Sequence, residues 1–161
     1  MKKFRITLFL IFLVSLFNCN AQKNNRGADY TYEVSCLGSE MDGSITVESY
    51  GMGRNYSDAS EQAKKNAVMA VIFKGIKIGV GDCNKSPLLL SFNSESKYED
   101  YFASFFKDNG PYMQYVSLKD ERIGNKIKRN VKKSEEMQQR KVVVRVDRLG
   151  IKKKLQGDNI N

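Results

Sequence analysis

The chain has 161 residues, 27 Lys plus Arg against 18 Asp plus Glu, three Cys, no Trp and no His. Without His there is no Ser-His-Asp or Cys-His catalytic pair, no two-His zinc site and no imidazole switch near neutral pH. The formal net charge of +9 directs attention to anionic partners.

Lys2, Lys3 and Arg5 precede Ile6 to Phe17, an apolar run broken only by Thr7 and Ser15. This is the pattern of a secretory signal. The run is shorter than the roughly 20 residues that a spanning helix needs. Two processing routes fit. Cys19-Asn20-Ala21 places small residues where a signal peptidase would cut before Gln22, whereas Leu16-Phe17-Asn18-Cys19 resembles a lipobox that would leave a lipidated Cys19. The expected organisation is a signal peptide over 1–21, a flexible leader over 22–29 and a single α+β domain over 30–161, with no transmembrane span in the mature chain. Export leaves Cys36 and Cys83 in a compartment that permits disulfides. They are expected either to pair or to remain as two buried thiols.

Along the mature chain, Tyr30 to Leu37 alternates as a strand, and Gly38 to Gly43 turns into a second one, with Ile45, Val47 and Ser49 on one face. Gly51-Met52-Gly53 reads as a tight turn without a ligand, since the third glycine of a dinucleotide fingerprint is replaced by Tyr56. A helix over 57–75 follows, with Ser57 or Asp58 as its cap and Glu61 completing a capping box. Ala59, Ala63, Ala67 and Ala70 form a small-residue stripe on it, and Gly75 stops it. Residues 76 to 93 read as an irregular connection, in which Leu88-Leu89-Leu90 is a short strand or an apolar loop.

Ser96 to Glu99 matches a capping box, and the spacing of Tyr98, Tyr101, Phe102, Phe105 and Phe106 predicts a helix over 95–108 with its aromatics in the core. Asn109-Gly110-Pro111 ends it. Tyr112 to Leu118 alternates as a strand, and Val142, Val144 and Val146 mark the last one. Asp147 then caps a short helix through Gln156, with Leu149 and Leu155 facing inward. The fold class is thus α+β, an antiparallel sheet with two main helices on one face and a short C-terminal helix.

No acidic pair, metal-ligand spacing or nucleophile pattern selects a catalytic, cofactor-binding or metal site, so a non-enzymatic role is expected. Charge is more informative. Residues 119–154 hold 14 basic and five acidic side chains, while 22–118 hold ten and twelve. If 119–146 form a long hairpin, Ile123, Ile127 and Val131 face the body. Arg122, Lys126, Lys128 and Lys132 then lie together on the opposite face as a partner surface. Export argues against nucleic acid and leaves an envelope protein, an anionic glycan or lipid head groups as partners.

The stretch Ser44 to Gly75, a strand, Gly-x-Gly and a capped helix carrying Ala59, Ala63, Asn66 and Ala67, resembles the small periplasmic domain of flagellar-associated lipoproteins. It is also similar to the N-terminal domain of flagellar outer-membrane ring assembly proteins. Val142-Val143-Val144-Arg145-Val146-Asp147, followed by Leu149 and Leu155, is similar to the closing strand and helix of such domains. The resemblance implies an α+β sandwich without catalytic residues. Its expected setting is the periplasm or outer-membrane periphery of a diderm bacterium, as an accessory or assembly factor for a secretion, motility or conjugation apparatus.

Overall fold

In a computed structural model, residues 33–91, 93–119 and 138–161 are described. The sequence alternation of the first segment becomes a hairpin, β1 (Ser35–Ser39) against β2 (Ile45–Gly53), with Leu37 skipped in a bulge between Cys36 and Gly38. The strand predicted over Tyr30 to Leu37 thus starts at Ser35, and residues 30–32 lie outside the described ones. Residues of one parity on β2, Ile45, Val47, Ser49 and Gly51, are buried, which is the period-2 signature of a sheet packed on one side.

Helix α1 (Tyr56–Met69) lies on that buried face. Its cap is Asn55, whose side chain accepts from the Asp58 amide at 3.0 Å; the expected caps Ser57 and Asp58 sit inside the first turn. The chain at Asn55 is still extended, so that residue satisfies the free amides of the first turn, and Asn caps as well as Asp does. The alanine stripe explains the helix's seat. Ala59, Ala63 and Ala67 are fully buried, and the α1 backbone rests directly on Gly51 and Gly53. Gly51-Met52-Gly53 is therefore the end of a strand made thin for a helix, not a tight turn.

Past Met69 the helix widens into a π-turn (Ala70–Lys74) that Gly75 ends with φ +70°. Widening leaves the carbonyls of Val71 and Ile72 to accept from the amides of Leu88 and Leu89, at 3.0 and 2.9 Å. Leu88 to Leu90 is thus an apolar loop that closes a helix end, with Leu89 in the core and Leu90 outside.

The two-residue strand β3 (Ile78–Gly79) runs parallel to β1. The sheet is accordingly mixed and not wholly antiparallel, in the order β3-β1-β2-β5-β4, where β4 is Val116–Leu118 and β5 is Gln138–Val146. The chain reaches β3 through a helix instead of a hairpin, so it need not reverse against its neighbour.

The predicted helix 95–108 is two pieces, α2 (Ser94–Lys97) and α3 (Glu99–Phe105), broken at Tyr98 where φ is −118° and ψ 35°. No side chain caps either one, so the Ser96–Glu99 box does not form. Tyr98, at the break, packs partly buried against the core that holds Phe102, Phe105 and Phe106. Phe102, Phe105 and Phe106 are buried among themselves in edge and stacked contacts, so the aromatic stripe is core. Asn109, at φ 57°, ends this segment.

Tyr112 to Tyr115 is not strand. Pro111 opens a 3₁₀ turn (Pro111–Tyr115), which drops Tyr112 into the aromatic cluster 5.9 Å from Phe106. Only β4 (Val116–Leu118) is extended. It pairs with β5 (Gln138–Val146), which pairs along its whole length with β2. The last helix, α4 (Arg148–Gly157), is capped by Asp147 through the Gly150 amide at 2.8 Å. Ile151 and Leu155, one turn apart, fill the core, and Leu149, expected inside, is 44% exposed. A helix starting at Arg148 turns position 149 away from the face that 151 and 155 share.

Candidate functional site

The pleat that buries Ile45, Val47 and Ser49 turns Thr46, Glu48, Tyr50 and Met52 to the other face of the sheet, where they stand beside Arg145, Val143, Lys141 and Gln139 of β5. Each cation there has an acidic partner on a neighbouring segment. Lys119 donates to Glu40 at 2.7 Å and to the Thr46 hydroxyl at 2.9 Å, and that hydroxyl in turn donates to Glu40. Arg145 reaches Asp42 and the Ser44 hydroxyl. Lys141 pairs with Glu48 at 2.9 Å. The Lys119, Lys141 and Arg145 side chains keep 48, 51 and 43% exposure, so this face meets solvent.

Hydrogen bonds set the electrostatics of the surface. The Lys119 ammonium, then the Thr46 hydroxyl, hold Glu40 below the usual carboxylate range. The Ser44 hydroxyl and amide do the same for Asp42. Glu48 raises Lys141. On the opposite side of the domain Lys65, buried on α1, lowers Asp108 through a bond of 2.8 Å. Asp158 is lowered by Lys154 and Tyr101.

These directions give a testable pH profile. Carboxylates with depressed folded values contribute stability that is complete above their unfolded pKa, about 4, and lost as pH falls through the folded one. Burial, then Asp158 and Glu61 respectively, raise Tyr101 and Tyr112, so their contribution is complete below about pH 10 and lost above it. The urea midpoint should be flat between about pH 5 and 9 and should fall at both ends. An unchanged midpoint at about pH 3 would show that the carboxylate pairs contribute nothing.

A second polar cluster ties α1 to the 3₁₀ turn. Tyr112 donates to Glu61 at 3.1 Å, Glu61 pairs with Lys64, and the Lys65 ammonium lies 5.6 Å from the Tyr112 ring centre. Asn66 donates to the Tyr50 carbonyl at 2.7 Å. Lys64, Lys65 and Asn66 are all buried. Their Glu61-x-x-Lys spacing looks like a solvated helix face in sequence, whereas the partner of Lys65 is 43 residues away. A phenol that donates to a carboxylate, with its pKa raised, is a brace and not an activated nucleophile. Among the described residues no three His, Cys, Asp or Glu side chains are grouped to hold a metal ion, and no helix is long and apolar enough to cross a membrane.

Cys36 and Cys83, offered by the sequence as a pair or as separate thiols, are joined by a disulfide with Cα atoms 6.3 Å apart. The bond fastens β1 to the loop beyond β3. Cys19, Arg122, Lys126, Lys128 and Lys132 lie outside the described residues, as does the hairpin expected to carry the four cations. The described residues that flank that segment in the chain are Lys119, after β4, and the start of β5. Lys119 stands beside the polar face, donating its amide to the Val143 carbonyl at 3.0 Å. Sequence reading missed that face, although the even positions of β2 and the odd positions of β5 carry its signal. Compared with known protein families, curated proteins and solved structures, the chain finds no match.

Proposed function

We propose that the protein is an exported, non-enzymatic accessory or assembly factor of a diderm cell envelope, which works by holding another envelope protein. The observation that carries this is the sheet face bearing Glu40, Thr46, Glu48, Lys119, Lys141 and Arg145. Its charges are held in register by the ladder and remain in solvent. Such a surface is preorganised for polar recognition, which gives specificity and on-rate more than raw affinity. The leader over 1–21 supports export, and the disulfide is in keeping with an oxidising compartment. The resemblance to periplasmic domains of flagellar-associated and ring-assembly proteins supports a place in an envelope apparatus. A second role, binding an anionic glycan or lipid head group, is favoured by one observation, the concentration of positive charge in residues 119–154.

Affinity isolation from intact envelopes, with the wild type and a variant changing Arg122, Lys126, Lys128 and Lys132 to Gln, tests both. The wild type should recover a stable protein complex, and the complex should weaken as salt rises. The variant should lose the complex while its unfolding free energy stays within about 0.5 kcal/mol. A glycan or lipid recovered alone would favour the second role. Binding unchanged in the variant would leave the basic stretch a device for solubility.

A further inference from the structure

A cleft of about 370 Å³ opens between the β1–β2 connection, the loop from Asn84 to Leu88 and the first turns of α4. Its walls divide by chemistry. Pro87, Leu88 and the exposed Leu149 form an apolar side; Arg148 and Lys152, one turn apart on α4, form a cationic side. Among the described residues neither cation takes part in an ion pair.

The nearby acids are occupied. Asp147 caps the Gly150 amide, Asp158 takes Lys154 and Tyr101, and Glu40 on the rim is held by Lys119 and Thr46. Two cations at i and i+4 repel each other. Burial also holds the Arg148 guanidinium below its ordinary value, with no anion to offset it. An anion bound between them relieves both costs.

We propose that this cleft binds a carboxylate carried on an apolar body, with Arg148 and Lys152 taking the carboxylate and Leu88 and Leu149 the hydrocarbon. A guanidinium matches a carboxylate through two parallel N–H donors. A doubly charged phosphate fits less well, because Glu40 shares the cleft and an inorganic oxyanion leaves the apolar wall unused. The volume lies within the usual range of small-ligand sites. The ligand chemistry is shared by a free organic acid and by an acidic residue of a protein, and the site stands whether or not the sheet face binds a partner.

Nitrogen-15 NMR titration of the mature chain tests this. N-acetyl-leucine should shift the amides of Leu88 and of residues 149–152 saturably, and N-acetyl-leucinamide should bind at least about tenfold more weakly, a difference of about 1.4 kcal/mol. A variant with Arg148→Gln and Lys152→Gln should lose the same factor while keeping a dispersed spectrum. Leu149→Ser should weaken N-acetyl-leucine but not acetate. An end-blocked peptide with an internal Glu-Leu that binds more tightly than N-acetyl-leucine identifies a protein source, and a weaker one identifies a free acid. The proposal fails if N-acetyl-leucine gives no saturable shift, if acid and amide bind alike, if inorganic phosphate binds as tightly, or if the double variant binds as the wild type does.

Discussion

Substituting Gly51 by Ala should destabilise the domain by about 3 kcal/mol, the upper end of what overpacking costs. A Cβ at this position would stand 2.0 Å from the Ala59 carbonyl oxygen, 2.4 Å from the Ala63 nitrogen and 3.0 Å from its Cα. All three are backbone atoms of α1, so no side chain can rotate to make room and the whole helix must lift from β2. Lifting it opens the layer that holds Val47, Ala63, Ala67 and Val144. Removing a glycine from a strand recovers roughly 0.5–1 kcal/mol of conformational entropy, too little to reverse the sign. Gly53, whose Cβ would lie 2.4 Å from the Ala59 nitrogen, should behave similarly. Gly157, near the end of α4 with nothing within 4 Å, is the control, and Ala there should be neutral or slightly stabilising. Urea unfolding followed by circular dichroism measures all three. If Gly51→Ala unfolds within about 1 kcal/mol of the wild type, the close seat of the helix is not a source of stability.

Cutting the disulfide should cost roughly 4 kcal/mol by the loop-closure relation for residues this far apart in the chain. The bond spans 47 positions, so it removes much of the freedom of an unfolded chain. Its local role is equally specific. The strand β3 pairs with β1 over two positions only, and the neighbouring ties are single bonds, Val80 to the Cys36 carbonyl at 3.2 Å and the Ser39 hydroxyl to the Asp82 carbonyl at 3.0 Å. Without the covalent link the segment from Ile78 to Asn84 should open before the rest of the domain. A double Cys36→Ala, Cys83→Ala variant should therefore show a lower urea midpoint. Amide exchange should rise first in residues 78–84 and later in β2 and β5. Equal midpoints for the oxidised and reduced wild type would refute the stabilising role, and free thiols in the native protein would refute the bond.

What the sequence by itself determined is whatever local spacing and side-chain size control. The period-2 runs in β2 and β5, the alanine stripe of α1, the aromatic core of α3, the stop at Gly75 and the cap at Asp147 depend on neighbours within a turn or a few positions, and such neighbours are printed in the chain. The Cys36–Cys83 candidate was legible too, because the leader expected over 1–21 would leave only these two of the three cysteines. Other features depend on which distant segments meet, and only the tertiary structure decided those. Gly51 and Gly53 look like a turn until α1 is laid across them. Nothing local marks Lys65 as buried, yet its ammonium pairs with Asp108, 43 positions away, and lies beside the Tyr112 ring. Tyr112 to Tyr115 alternates like a strand, but Pro111 and the aromatic cluster draw it into a 3₁₀ turn. The parallel pairing of β3 and the cleft beside Arg148 and Lys152 each join segments far apart in the chain. No local period encodes them, because contacts over such separations are selected by the packing of the whole core and not by the preferences of the residues that make them.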